Sequence, residues 1–409
     1  MTIFRKATVN TLYQLIGKGV SLFLGLYITA FISQSISVQD YGRYVLVVSL
    51  VIQIAAISEW GTGFIAVRAS SQSLYSKADL FFNLLLSRLV LSTLGMTILL
   101  ILSFFHTFNI PSSALAIASL IIIPLGIKNV VNSYFQSITN FRITSLIEIL
   151  SNVLYALLLF AYSRHTINLN FPITALAIST LVASLTGFVL LLRSQSLNHQ
   201  IKPHIIKYLF FNAIPVGGQL LLFNIYNRLD LYLLQHFQSE VAVARYGLAY
   251  KLYENSILIA AYFMNSLFPA ISSATLSNLR HLYHRSLKTL LVLGVVISIS
   301  MFIFAPLVIS IINPEYSDSI SPLRILSLGL VFTYLNHATG YTLTAINRQH
   351  YLFLIALVGL LINVSLNLFL IPLYSYHAAA FTTIITEATI CIISLLILNK
   401  YFRNTNHSN

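Results

Sequence analysis

Charge is what this sequence has least of: Asp, Glu, Lys and Arg together make up 8% of its 409 residues, and only 10 of those residues are acids. A soluble domain keeps itself dispersed with several times that density of surface charge. Cysteine is nearly absent as well. The single Cys391 excludes a disulfide within the chain and leaves no basis for a cysteine metal site. Long polar segments are also missing, since no loop exceeds roughly 20 residues, the length that one membrane crossing takes. That leaves no room for a soluble catalytic or nucleotide-binding domain. The sequence contains neither GxxxxGK[ST] nor HExxH, so ATP hydrolysis through a phosphate loop and zinc peptidase chemistry are both excluded.

What the chain does have is apolar length. Hydrophobic residues make up 57% of it, and its mean hydropathy is +0.84. Apolar runs of about 20 residues recur from end to end, each long enough to cross a hydrocarbon core of about 30 Å as a helix. About twelve such runs are centred near Phe23, Gln53, Ser92, Pro124, Leu154, Ser184, Leu222, Ser256, Ser298, Phe332, Leu360 and Thr389. Membrane strands would alternate over about ten residues, which these runs do not, so the expected class is an all-α, polytopic membrane protein. The first run, from about Leu12 to Ser33, is too long for a signal-peptide core and is read as the first span.

Lys and Arg orient the bundle. Arg5, Lys6, Arg68, Lys77, Arg142, Arg193, Lys202, Lys207, Arg280, Arg285, Lys288, Arg348, Lys400 and Arg403 fall on one side, while the opposite loops hold Arg43, Arg164, Arg245 and Arg324. The positive-inside rule then places both termini in the cytoplasm. The net charge of +13 is thus mostly topogenic and gives no reason to expect nucleic acid as a partner, although the basic loops suit anionic lipid headgroups. His281 and His284 sit in one of those loops without ligating neighbours and read as solvated residues.

The basic loop Arg193 to Lys207 divides the spans six and six, giving an expected N-terminal lobe of residues 1–200 and a C-terminal lobe of 201–409. Weak echoes link the halves. "QSISVQDYGRY" is matched by "QSEVAVARYGLAY", "NVLYALLLF" by "NVSLNLFLI", and "ALAIST" by "AAAFTT". An even number of spans per half makes these parallel repeats, two six-helix lobes related by a pseudo-twofold axis along the membrane normal.

Longer stretches carry a family resemblance: "NTLYQLIGKGVSLFLGLYITAFIS", "DYGRYVLVVSL" and "EWGTGFIAVR" in the first half, then "YNRLDLYLLQHFQSEVAVARYGLAYKLYE", "NSLFPAIS", "YSDSISPLRILSLGL" and "NVSLNLFLIPLYSYHAAAFTTIITE". In this order they resemble the Wzx-type polysaccharide flippases of the multidrug/oligosaccharidyl-lipid/polysaccharide exporter superfamily. The resemblance runs from Asn10 to about Leu398. It implies a two-lobed, twelve-helix protein of the bacterial inner membrane that moves undecaprenyl-diphosphate-linked oligosaccharide repeat units from the cytoplasmic to the periplasmic leaflet. The product would be O-antigen or a related surface polysaccharide, and the implied partners are membrane lipids, the glycan polymerase and chain-length proteins. No cofactor is implied. One departure stands out: where that family usually reads "YG…GAA" before its last span, this chain reads "YSYHAAA", Tyr374 to Ala380.

An anionic head crossing hydrocarbon needs cations lining a wet cavity. Five lie within spans: Lys18, Arg88 and Lys128 toward the cytoplasmic half or the middle, and Arg228 and Lys251 nearer the periplasmic side. The first three are candidates to capture the diphosphate, the last two to receive it. The acids Glu59, Glu148, Asp230, Glu254 and Glu387 supply the opposing reading, in which the charges merely pair. Lys251 and Glu254 are three apart on one helix and are placed to do so, and Lys18 is placed to snorkel. On a helix at about 100° per residue, Asn224, Asn227 and Arg228 share a face as a polar strip for phosphate or sugar hydroxyls. Asp230 points about 160° away from Arg228 by the same geometry. It needs another partner, a cation on a neighbouring helix or a proton or sodium ion. Without an ATP motif, uphill transport requires an ion gradient, for which Glu59, Asp230 and Glu387 are the candidates. Glu59, beside Trp60 and Gly61, reads either as interfacial or as a helix end. Tyr226 and Tyr250 are placed to stack on sugars or to pack in the core.

The principal alternative is an ion-coupled multidrug and toxin extrusion antiporter, whose cationic cargo calls for an acidic cavity. A glycan-polymerising membrane enzyme would need a large periplasmic loop, which is missing. A scaffold role in glycan assembly is compatible with the sequence.

Overall fold

The computed structural model describes the backbone of residues 3–105, 109–162, 167–195, 197, 200–272, 274–346 and 348–406, and their side chains except at 3–16, 18, 269, 276, 349, 405 and 406. Among the described residues there is no strand. The chain is all-α, and among the described residues eight helical segments are long and apolar enough to cross a membrane, with mean hydropathies from 1.4 to 2.7. Large apolar side chains cover the surface as well as the core, and some charged ones are buried. Phe104 is 79% exposed and Phe369 74%, whereas Arg88 and Asp230 are each 2% exposed. With lipid as the solvent, apolar side chains cost nothing at the surface and polar ones must be satisfied within. The protein is a multi-pass membrane protein.

Contacts divide it into two compact units, residues 1–224 and 225–409. The first contains α1 (Ile3–Ser35), α2 (Val38–Glu59), α3 (Thr62–Ser71), α4 (Lys77–Phe104), α5 (Ser112–Ser119), α6 (Ile122–Ser137), α7 (Phe141–Ala161), α8 (Asn170–Ser194) and nearly all of α9 (Pro203–Tyr226). Its core joins Phe81 and Leu84 of α4 and Tyr134 and Phe135 of α6 to Ile205, Leu209 and Ala213 of α9. The Tyr134 ring meets Phe81 edge-on at 5.2 Å and Phe135 at 5.1 Å. Polar contacts pin the start of α9: Lys202 Nζ pairs with Asp79 at 2.6 Å and Lys202 N donates to Asn83 Oδ1 at 2.7 Å. The basic loop marks topology, so division at residue 200 groups α9 with the second half, while packing groups it with the first.

The second unit holds α10 (Leu229–Phe237), α11 (Glu240–Ser272), α12 (Leu276–Ile312), a 3-10 turn (Pro314–Ser319), α13 (Ile320–Ala345) and α14 (Gln349–Asn406). In it α13 packs against α11, α12 and α14. The two echoed segments both lead into a serine-capped helix, although the serine of the first echoed "QS" pair is Ser35, whose hydroxyl donates back to Phe31 O at 2.6 Å, and the cap there is Ser37. Ser37 Oγ accepts from Asp40 N at 3.1 Å at the head of α2, and Ser239 Oγ accepts from Ala242 N at 3.2 Å at the head of α11.

Several expected spans are interrupted. Pro124 has no N–H for the carbonyl of Leu120, and α5 gives way to α6 at that point. The expected seventh span is α9 followed by α10, separated at Asn227 and Arg228. The last two spans are the two parts of α14, residues 349–374 and 376–406, which meet at Ser375 with φ +54° and ψ −138°. There the Gln238 amide donates to the end-of-helix carbonyls of Ile371 at 3.0 Å and Pro372 at 3.2 Å.

Candidate functional site

The second unit gathers its polar groups around the α9–α10 interruption. Arg228 is not helical (φ −129°, ψ −10°), and its guanidinium Nη2 binds Glu254 Oε1 at 2.7 Å. Lys251 approaches the other oxygen of that carboxylate at 3.6 Å. Two cations therefore share one carboxylate, leaving a local excess of one positive charge. The Arg228 side chain is 16% exposed and that of Lys251 is 45%, so the excess is reachable. Tyr250 braces the group, its hydroxyl donating to Asn227 Oδ1 at 2.9 Å and its ring centre 5.9 Å from the Arg228 guanidinium carbon.

Two buried carboxylates lie in the same unit. Asp230, in the first turn of α10, accepts from Leu231 N at 2.9 Å and from the Tyr246 hydroxyl, which also faces Thr383 Oγ1 at 3.4 Å. Glu387 Oε2 accepts from Asn336 Nδ2 at 2.8 Å, and its other oxygen faces Tyr226 Oη at 3.5 Å. Beside it Tyr253 Oη and Thr333 Oγ1 are 2.7 Å apart. Each acid is thus held by neutral donors, with no cation among its hydrogen-bond partners in the described residues. Among the described residues no three His, Cys, Asp or Glu groups converge to hold a metal ion.

In the first unit the charges are placed differently. Helix α2 ends at Glu59 because Trp60 (φ 47°) and Gly61 (φ 66°) turn left-handed. That end leaves carbonyls without helical donors. Arg88 supplies one, Nη1 donating to Ser58 O at 2.7 Å while Nη2 donates to Thr62 Oγ1 at 2.9 Å. At 2% exposure it serves as an internal cap. Glu59 Oε2 accepts from Asn129 Nδ2 at 3.2 Å. Lys128 pairs with Glu148 at 2.7 Å, beside a polar cleft of about 230 Å³ lined by Asn132, Gln136, Thr144 and Ser145 among others. The break at Trp60 is seated on α9, where a Cβ on Gly217 would lie 2.8 Å from Trp60 O.

The structure brings together Asn227, Arg228 and Lys251, and brings Glu59 near Arg88, but it does not gather all the candidates. The side chain of Lys18 lies outside the described residues, as does Arg164. The polar strip is revised. Because α9 stops at Tyr226, Arg228 does not continue its face, and Asn224 turns its amide to its own helix at Leu220 O, 2.8 Å away. Asp230 takes a hydroxyl, not a cation, as its side-chain partner. Tyr226 and Tyr250 are 8% and 5% exposed and pack in the core. Glu254 as the partner of Arg228 was not visible, being 26 residues away on another helix. A signal did exist for Tyr246 and Tyr253: with Tyr250 they repeat at helical spacing, their rings 5.5 and 5.7 Å apart in succession.

A family model described as polysaccharide biosynthesis protein matches residues 3–275, and one described as MatE matches residues 215–369. No curated protein sequence matches the chain. Among solved structures the fold is similar to that of the lipid II flippase MurJ in an inward closed conformation. That alignment has a TM-score of 0.79 at 16% identity and covers 96% of this chain and 87% of that one. An inward-facing multidrug resistance MATE family transporter of the MOP superfamily gives 0.75 at 17% identity, covering 98% and 96%. A MOP superfamily transporter from Pyrococcus furiosus gives 0.69 at 17% identity, covering 96% and 94%. At these identities the likeness establishes a shared two-lobed helical fold. The proteins it is shared with are transporters and flippases, not enzymes.

Proposed function

Because this chain belongs to the polysaccharide biosynthesis protein family, whose model matches 3–275, we propose that it is a flippase for lipid-linked oligosaccharide. It carries undecaprenyl-diphosphate-linked repeat units from the cytoplasmic to the periplasmic leaflet of the bacterial inner membrane, for O-antigen or a related surface polysaccharide. Both termini are cytoplasmic, as the distribution of Lys and Arg requires. The family match carries the reading, and the chemistry of the second unit supports it. Arg228 and Lys251 around one carboxylate present net positive charge to a diphosphate, and Asn227 stands beside them. Charge-assisted hydrogen bonds from a guanidinium suit phosphate oxygens. In the first unit Lys128, next to a cleft of amides and hydroxyls, is the cation placed to meet the incoming head, while Arg88 holds the helix break on which the lobe is built.

A second reading, an ion-coupled multidrug antiporter, is favoured by the MatE match across 215–369 and by the buried acids Asp230 and Glu387. The two readings separate in the bacterium that encodes the protein. Deleting the gene and probing inner membranes with an enzyme that cannot cross them measures where lipid-linked oligosaccharide resides. Completed units confined to the cytoplasmic face, together with loss of surface glycan, are the expected result. Normal surface glycan with altered resistance to cationic compounds would establish the antiporter instead.

A further inference from the structure

At the end of the second unit where α12 stops and α13 begins, a cavity of about 550 Å³ is walled by Phe302, Ser321, Arg324, Leu328, Tyr376 and His377, among others. Its chemistry starts with a proline. Pro306 has no N–H, so the carbonyl of Phe302, four residues earlier in α12, loses its helical donor. Arg324 Nε replaces that donor from α13 at 3.2 Å. The guanidinium carbon also stands 5.1 Å from the centre of the Phe302 ring. One edge and one face of the guanidinium are thereby fixed. Its two terminal nitrogens have no hydrogen-bond partner among the described residues.

The charge of the cavity is not balanced from within. Asp318 lies on its wall, but Arg245 holds that carboxylate at 2.7 Å. Arg324 is left as a cation with a preset fork of N–H groups, the geometry that phosphate oxygens accept. Ser321 and Tyr376 add hydroxyls nearby. The remaining wall is apolar and open: Phe302, on the membrane-length apolar helix α12, is 40% exposed, and Leu328 on α13 is 52% exposed. A free anion has no use for such a wall, whereas an acyl chain does.

We propose that this cavity binds the phosphate of an anionic phospholipid headgroup through Arg324, with the lipid's acyl chains lying along Phe302 and Leu328. The site is independent of the transported substrate. It would tie the turn Pro314–Ser319 and the bend at Ser375 to the lipid surface on that side of the membrane.

The test uses the full-length protein purified in detergent, with lipid binding followed by native mass spectrometry and by the thermal unfolding midpoint. Phosphatidylglycerol is expected to bind saturably and raise the midpoint, with diacylglycerol and inorganic phosphate giving no comparable effect. Arg324→Gln should weaken phosphatidylglycerol binding by about 10-fold or more, the scale of a lost charge-assisted hydrogen bond. Arg348→Gln, an exposed arginine beyond α13, should leave it unchanged. Arg324→Lys keeps the charge but not the fork and is expected to weaken binding severalfold, which carries the test if the glutamine variant does not fold. Undiminished binding by the Arg324 variants, or equal protection by diacylglycerol, would overturn the proposal. Inorganic phosphate that displaces the lipid at comparable concentration would assign the cavity to free anions and overturn it too.

Discussion

Ser375 offers a direct measure of strain in this fold. Its φ of +54° with ψ of −138° lies where L-residues are strained and glycine is not. Holding a non-glycine residue in such a region costs about 1–3 kcal/mol. Among the described residues the Ser375 hydroxyl makes no hydrogen bond that a substitution would break. Ser375→Gly therefore removes the strain at an entropic cost of about 0.5–1 kcal/mol in the unfolded chain. The net gain lies between about 0 and 2.5 kcal/mol, a rise of up to roughly 10 °C in the unfolding midpoint for a unit of this size. Cys391 makes the assay clean, since it is the sole cysteine and is 2% exposed. A thiol-reactive dye reports its exposure on heating and nothing else. Ser375→Ala keeps the strain and should leave the midpoint within about 1 °C, half a kcal/mol or less on the same scale. A midpoint lowered by glycine, or raised equally by alanine, would refute the reasoning.

Other expectations follow from single contacts. Glu254→Gln leaves Arg228 and Lys251 facing each other without their shared carboxylate. For groups this partly exposed the loss is about 1–2 kcal/mol, between the surface and buried limits. A double-mutant cycle with Arg228→Gln checks this by coupling of at least ~0.5 kcal/mol. Gly217→Ala would set a Cβ 2.8 Å from Trp60 O, a backbone atom that cannot swing away. It is expected to cost about 1–3 kcal/mol, read as a lowered midpoint. Tyr246→Phe removes a hydroxyl donor from buried Asp230 and should destabilise by about 1–3 kcal/mol. Adding Asp230→Asn should then recover part of that loss, because an amide is neutral where the carboxylate was charged. If the double variant is less stable than the single, Asp230 is not the group that suffers.

Much of this architecture is legible in the sequence because lipid imposes one rule, about 20 apolar residues per crossing. The i, i+3 pairing of Lys251 with Glu254 is legible for the same reason that any helical neighbour is. The end of α2 is announced by Gly61, and the α5–α6 break by Pro124. The α9–α10 interruption is not announced, since "IYNRLD" holds neither proline nor glycine. The Asn227 side chain there is met by a distant residue, the Tyr250 hydroxyl donating to its Oδ1. Arg228 with Glu254, and Gln238 with Ile371 and Pro372, join helices that only tertiary packing brings side by side. Arg88 shows the limit of reading intramembrane charge as ligand chemistry, because an orphaned carbonyl attracts a guanidinium as readily as a phosphate does.

The position of α9 has a consequence for how the chain can be divided. Ile205, Leu209 and Ala213 are each no more than 1% exposed and complete the apolar core of the first unit. A gene split in the basic loop near residue 200 would send that helix away with the wrong fragment and open the core it covers. A split at Asn227, in the interruption after Tyr226, parts the chain where no helical hydrogen-bond ladder runs. Coexpressed fragments 1–226 and 227–409 should reassemble in the membrane where 1–200 and 201–409 do not. During synthesis, likewise, the first half is not ready to pack until the span that follows the loop has entered the bilayer.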